Sequence, residues 1–303
     1  MCGTRSRAAA AAAGGVRIVF SKAHARRRRA DLPSGPATSP PTARRRVAAF
    51  GFAVVLAVLA ASVSDLHAGE RLSADARVPP ALLPGVGAHD PRARLDPDKV
   101  PWRAVGKLQA VALNLHTLCT GTLVGPATVL TAAHCVYNPR TRHNFPPRSL
   151  HFLIGTDGSR HAGHGIGVKL EIGPGYDPGR PAETRGSDWV LISLDARLGS
   201  PERVLPMIGE APEVGSTIML GGYQQDHPLV LMADPDCRIV GRSTDAGGRL
   251  LVRHNCTGTR GDSGAPLLIE KDGKWYTAGV AVAADLCVAS GLAVVLDDAC
   301  NRL

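Results

Sequence analysis

Ser263 stands in "TGTRGDSGAPLL", Thr257 to Leu268, between an aspartate and two small residues and just ahead of an apolar run. A serine hydroxyl is a weak nucleophile at neutral pH and needs a base in hydrogen-bond reach, itself oriented by a third group. Glycines around a serine also make ordinary turns, so the tetrapeptide Gly-Asp-Ser-Gly decides nothing alone. A Gly-x-Ser-x-Gly elbow loses support because Ala265 fills its fifth position. A candidate base lies upstream, where "GTLVGPATVLTAAHC", Gly121 to Cys135, ends an apolar strand in small alanines that let the chain turn and present His134. A candidate orienter is Asp188, at the head of the apolar "DWVLISL". A buried strand start gives a carboxylate the shielded, fixed position that holds a histidine in one tautomer. Asp157, Asp177 and Asp195 compete for that role, and a turn-capping aspartate is the plainer account of Asp188 alone.

These three residues need elements to hold them. From Trp102 onward the chain alternates short apolar stretches such as "AVGKLQAVAL", "LHFLIG", "GVKLEIG", "STIMLGGY", "RLLVRH", "YTAGVAVAA" and "GLAVVL" with Gly, Pro, Asp and Asn. No long helical-period segment interrupts them. About a dozen strands over roughly 200 residues indicate an all-β protein with room for two barrels. The proline-rich "PERVLPMIGEAP", Pro201 to Pro212, is the natural connector, dividing about 101–200 from about 213–303 within a domain of 101–303. Residues 69–100, rich in Pro, Asp and Arg without periodicity, read as a linker or pro-segment.

Charge is lopsided along the chain. Residues 1–68 hold 11 of the 35 Lys and Arg but 2 of the 26 acids, which leaves 24 of each sign after them. The formal +9 therefore belongs to the leader, and the globular part has no net positive footprint for nucleic acid. Within the leader, "ARRRVAAFGFAVVLAVLAASVSDLHAGE" runs from positive patch to apolar segment to small residues, the order of a secretory signal cut after Ala68 or Ser62. A retained membrane anchor is the alternative, and Arg45-Arg46 also permits a twin-arginine route. Either way the following domain is expected to be exported, secreted or periplasmic, and to touch membrane only through an uncleaved leader. Residues 1–43 read as a basic, disordered stretch.

Setting aside Cys2, six cysteines remain: Cys119, Cys135, Cys237, Cys256, Cys287 and Cys300. In an exported chain an even number reads as up to three disulfides, while a zinc site lacks any Cys-x-x-Cys pair. Cys119 and Cys135 bracket the strand before His134, and a bond between them would stabilise by roughly 3 kcal/mol and fix where the imidazole points. The remaining pairings stay open between Cys237–Cys256 with Cys287–Cys300 and a Cys256–Cys287 alternative. His161 and His164 in "HAGHG" sit in a glycine-rich loop with no acid or cysteine nearby, so no metal is expected there.

"LTAAHC", "SDWVLISL" and "GDSGAPLL", in the order His, Asp, Ser, resemble the trypsin-like (chymotrypsin-fold) serine peptidases, and the similarity covers about Pro101 to Val295. "PWRAVGKL", "CTGTLVGPATVLTAAHCV" and "HNC" resemble in particular the bacterial glutamyl-endopeptidase-like branch. The resemblance implies two six-stranded antiparallel β-barrels with the active site in the cleft between them. It implies an endopeptidase acting on protein or peptide substrates, monomeric and without cofactor or metal. His134 would be the general base and then acid, Asp188 its orienter, Ser263 the nucleophile, and the backbone N–H groups of Gly261 and Ser263 the oxyanion hole. A catalytically silent fold used as a binding module is the alternative. Trypsin selects Lys or Arg with an aspartate six residues before the nucleophile, where this chain has Thr257. The glutamyl endopeptidases use a histidine on the strand after the nucleophile, and "AGVAVAA" has none. A pocket walled by Thr257, Val282, Ala283 and Ala284, taking a small or medium apolar side chain, follows as the expectation. In trypsin-like zymogens the aspartate matching Asp262 pairs with a new amino terminus, which a cut between Arg103 and Ala104 would supply. The alternative has Asp262 pairing with Arg260 or accepting local backbone hydrogen bonds.

Overall fold

The computed structural model describes residues 83–112 and 115–296. The leader, its cleavage sites and Cys300 lie outside the described residues. Six strands make the first barrel: β1 (Val105–Ala112), β2 (Cys119–Gly125), β3 (Thr128–Thr131), β4 (Leu150–Ile154), β5 (Gly163–Ile172) and β6 (Val190–Leu194). They pair antiparallel in the order β1-β2-β3-β6-β5-β4, and β4 pairs back onto β1 to close the ring. "LHFLI" in β4 shows why: its residues alternate between buried and half-buried, the period-2 signature of a strand with one face on a core. Leu108, Leu123, Val129, Phe152 and Ile192, each at most 1% exposed, fill that core.

The second barrel uses β7 (Thr217–Gln224), β8 (His227–Thr244), β9 (Leu250–His254), β10 (Pro266–Lys271), β11 (Lys274–Ala284) and β12 (Gly291–Val295). Its order is β8-β7-β10-β11-β12-β9, closed by β9 on β8. Ile218, Ile239, Val252 and Leu267 form its interior. Leu251, Val280 and Val294 belong to the core cluster of the first barrel, so the two rings share a continuous apolar seam. Two six-stranded antiparallel barrels are thus the fold that the strand count and the resemblance implied.

β8 is longer than its sequence suggests. Pro228 and Pro235 argue against a strand through "HPLVLMADPDC", because proline cannot donate to a ladder. Pro235 sits where the register slips between the pairs Leu220 with Asp234 and Ile218 with Cys237, so the bulge accommodates it.

The stretch expected as a linker is, in its described part, folded. Ala93–Arg94 pairs with Ala233 and Met232 on β8. Leu83 and Val86 are buried, and Gly85 donates to the Asp285 carbonyl at 2.6 Å while its own carbonyl accepts from the Gly258 amide at 3.2 Å. Arg92 Nη2 reaches Asp226 Oδ2 at 2.8 Å with both side chains nearly inaccessible. Short apolar residues among prolines gave no periodicity to find, yet they lie on the barrel surface. The Arg103–Ala104 bond is inside a 3₁₀ turn, Trp102–Ala104, whose Trp102 and Ala104 are buried.

Cys119–Cys135 and Cys237–Cys256 are disulfides, which excludes the Cys256–Cys287 alternative, and Cys287 is itself disulfide-bonded.

Candidate active site

His134 lies in a 3₁₀ turn, Ala133–Val136, that follows β3 directly. Asp188 caps a second 3₁₀ turn, Arg185–Ser187, that leads into β6. Since β3 and β6 are neighbours, with Thr131 opposite Val190, the strand pairing itself brings the two turns together. His134 Nδ1 stands 2.8 Å from Asp188 Oδ2, and the His134 backbone N–H donates to Asp188 Oδ1 at 2.9 Å. The carboxylate therefore grips the histidine twice, which fixes both turn and ring. Its side chain is 7% exposed while that of His134 is 34% exposed, so the carboxylate is shielded and the ring is open on its far side. The competing aspartates are engaged elsewhere: Asp157 with Arg94, Asp177 with Arg180, and Asp195 with the Ile166 amide.

The Asp188 turn is also tied to the second barrel. Asp245 accepts from the Gly186 amide at 2.9 Å. Although burial works against it, the amides of Arg249, Gly186 and Gly247 hold the Asp245 carboxyl below the ordinary range, and so keep it charged. Arg249 reaches the Pro174 carbonyl from the same hairpin.

Ser263 follows β9 in a tight loop anchored to the first barrel. The Thr120 amide donates to the Ser263 carbonyl at 2.9 Å, and the same carbonyl lies 3.7 Å from Cys135 Sγ, next in sequence to His134. The Cys119–Cys135 disulfide thus underlies both candidate residues, and as a disulfide it cannot offer thiolates to a metal. Thr120 Oγ1 donates to the Gly261 carbonyl at 2.8 Å and accepts from the Tyr223 amide. Gly261 and Gly264 have φ of +105° and +85°, where an added Cβ would strike backbone or side-chain atoms. Among the described residues the Gly261 and Ser263 amides have no hydrogen-bond acceptor. Two free N–H groups beside a serine can stabilise an oxyanion.

Asp262 does not behave as the plainer sequence reading expects. It is 5% exposed, and among the described residues neither carboxyl oxygen has a hydrogen-bond partner, Arg260 included. Gln224 and the Thr259 amide approach it without completing hydrogen-bond geometry. Burial pushes its carboxyl well above the ordinary range against the opposing pull of Arg92.

A cavity of ≈ 280 Å³ opens beside Ser263. Val282, Ala283 and Ala284 line it, but Thr257 does not: its side chain is buried and its amide donates to Asp234. Pro84, from the supposed linker, and His254 complete the wall, and neither was among the sequence candidates. His254 was legible in principle, because the alternation Val252 in, Arg253 out, His254 in places it on the inner face of β9.

His254 is 2% exposed, and burial lowers its imidazole to about 4 from the ordinary 6.5. It is neutral in the fold, whereas the unfolded chain protonates it below about 6.5. Folding stability should therefore fall as pH drops from about 6.5 to about 4, by up to roughly 3 kcal/mol from this group. Asp262, with its pKa raised, contributes with the opposite sign over acidic pH. Urea midpoints at pH 7 and 4.5 for the wild type and His254→Leu separate the two, and an equal pH dependence in both proteins would contradict the expectation.

The fold is a two-barrel one in which Asp188 holds His134 and the Ser263 loop is tied by its carbonyl to the Thr120 amide of the first barrel. The Trypsin family profile matches residues 94–295, and the chain belongs to that family of serine peptidases. Among curated proteins it is 33% identical over 124 residues to the cercarial protease of Schistosoma mansoni, covering 37% of this chain and 45% of that one. It is 24% identical over 206 residues to human transmembrane protease serine 5, covering 61% and 43%. The chain thus spans less than half the length of these relatives. Among solved structures, a Glu endopeptidase in complex with MPD aligns with a TM-score of 0.60 and 19% identity, over 72% of this chain and 96% of that one. At that identity the likeness shows the fold alone.

Proposed function

We propose that the protein is an exported serine endopeptidase, working as a monomer on protein or peptide substrates through an acyl-enzyme. The observation that carries this reading is the double contact of Asp188 with His134. A carboxylate accepting from Nδ1–H leaves the lone pair of Nε2 facing outward, which is the tautomer a general base requires. Ser263 Oγ attacks the scissile carbonyl as its proton passes to His134 Nε2. The carbonyl oxygen becomes negative and is held by the Gly261 and Ser263 amides. His134 then returns the proton to the leaving amine, and water repeats the sequence on the ester. Asp188 stays charged throughout and stabilises the imidazolium. The reaction requires only water as co-substrate. Export rests on the leader, with its basic patch and apolar run.

Fluorophosphonate labelling of the full chain, followed by mass spectrometry of the modified peptide, tests the proposal. Label on the peptide carrying Ser263, lost in Ser263→Ala, is the expected result. An unlabelled, folded wild-type protein would overturn it.

A further inference from the structure

The first barrel gathers three histidines on one part of its outer surface. In β4, Phe152 is fully buried while its neighbours His151 and Leu153 are half-buried, so His151 faces outward. β5 pairs with β4 so that Leu153 lies opposite His164 and His151 opposite Ile166, which makes His151 and His164 diagonal neighbours on that outer face. His161 comes from the turn between the two strands. That turn is fixed by the pairing of Asp157 with Arg160 and by the Ala162 amide, which donates to the Ile154 carbonyl at 2.8 Å.

His151 Nδ1 stands 2.9 Å from His164 Nε2, with the rings parallel to within 10° and their centroids 5.1 Å apart. The nitrogens are much closer than the centroids, so the rings meet edge to edge and both nitrogens aim at one point. Two lone pairs facing each other repel, so that point must hold a proton or another cation. A proton there makes only an N–H···N bond at the protein surface, where water competes for both groups. The His161 ring stands 6.3 Å from that of His164, centroid to centroid, and crosses it at 66°. It is exposed and free to turn. Partial desolvation, and then the nearby His151 and His161, lower the His164 imidazole below the ordinary 6.5. The neutral form this favours is the one that ligates metals. Asp195, fixed by the Ile166 amide at 2.8 Å, adds a negative charge beside the cluster.

We infer that His151, His164 and His161 form a binding site for a late first-row divalent cation of the zinc class. Imidazole nitrogen suits Zn²⁺, Cu²⁺ and Ni²⁺, whereas Ca²⁺ and Mg²⁺ take oxygen ligands. Zn–N bonds of about 2.0–2.1 Å around a tetrahedral ion put ligand nitrogens roughly 3.3 Å apart, so the His151–His164 pair has to open by less than about half an ångström. His161 supplies the third ligand by side-chain rotation, and the bound ion staples β4, β5 and their turn together. The sequence shows His161 and His164 in a glycine-rich loop and argues against a metal. What it hides is His151, which the β4–β5 register brings alongside. The site is independent of the peptidase reading.

The test is isothermal titration of the full chain with Zn²⁺, compared with His151→Ala, His164→Ala, their double variant and His161→Ala. His134→Ala and His143→Ala, the latter at an exposed position outside the cluster, are the controls. The wild type is expected to bind one ion more than the double variant. His151→Ala and His164→Ala should each weaken that binding by more than about 10-fold, the least that loss of a contact supporting a metal ligand costs. His161→Ala should weaken it by a smaller factor, and the two controls should leave it unchanged. Zn²⁺ should also raise the melting temperature of the wild type but not of the double variant, with both proteins melting cooperatively. Equal zinc binding by the wild type and the double variant would reduce the pair to a plain hydrogen bond. Loss of the ion in His134→Ala alone would move it to His134. Either result would overturn the site.

Discussion

Asp188→Asn is expected to lower kcat by on the order of 10⁴-fold with KM and thermal stability little changed. The wild-type carboxylate accepts twice from one residue, at the His134 backbone N–H and at Nδ1. An asparagine has one oxygen for these two places. If the oxygen stays on the backbone N–H, the amide NH₂ faces Nδ1 and forces the ring proton onto Nε2, where it blocks acceptance of the serine proton. If the amide turns over, its NH₂ confronts the His134 N–H and the 3₁₀ turn loses its anchor. The first orientation removes the Nε2 lone pair, and the second releases the turn that positions the ring. Steady-state kinetics on any cleaved peptide, with circular dichroism and a melting curve alongside, checks this. A loss below about tenfold in a folded variant would mean that His134 is not oriented by Asp188 during turnover.

The parts of this site that were readable in the sequence are those carried by local chemistry. "LTAAHC", "SDWVLISL" and "GDSGAPLL" each join a strand to a turn, so the position of His134, Asp188 or Ser263 relative to its own strand follows from a few neighbouring residues. What brings His134 and Asp188 together is β3 pairing with β6, a contact between residues near 130 and near 190 that no short window contains. The apolar alternation located β1, β4 and β12 for the same local reason. The first half of β8 escaped because its prolines look like breakers until the bulge opposite β7 is known.

The pocket was the least legible feature. Its wall is assembled from β11, from the end of β9 and from Pro84, nearly two hundred residues upstream in a stretch without periodicity. Val282 to Ala284 were found because they follow Ser263 at a spacing the family resemblance supplied. His254 was passed over because a lone histidine on an apolar strand reads as core until the space in front of it is seen. Asp262 shows the converse limit: sequence offered Arg260 as a partner two residues away, but Arg260 is exposed while Asp262 is buried.

Gly261→Ala tests whether the loop before Ser263 is fixed by its backbone alone. A methyl group at Gly261 would lie 2.2 Å from the Tyr223 carbonyl oxygen and 2.9 Å from Gln224 Cα. Both belong to β7, and Tyr223 is completely buried, so the strand cannot retreat. The loop cannot rise either without breaking the Thr120 Oγ1 bond to the Gly261 carbonyl. The φ of +105° adds strain for any residue with a Cβ. Together these should destabilise the fold by on the order of 3 kcal/mol and rotate the Gly261 amide away from the developing oxyanion. Loss of one such donor costs about 10²- to 10³-fold in rate. Gly273→Ala is the matching control, because Gly273 has φ of +70° but nothing within 4 Å of an added Cβ. That variant should lose about 1 kcal/mol and label at Ser263 at the wild-type rate. Melting curves and fluorophosphonate labelling rates for the two proteins separate steric locking from simple backbone strain. Equal losses in both would mean that the contact with β7 does not hold the loop in place.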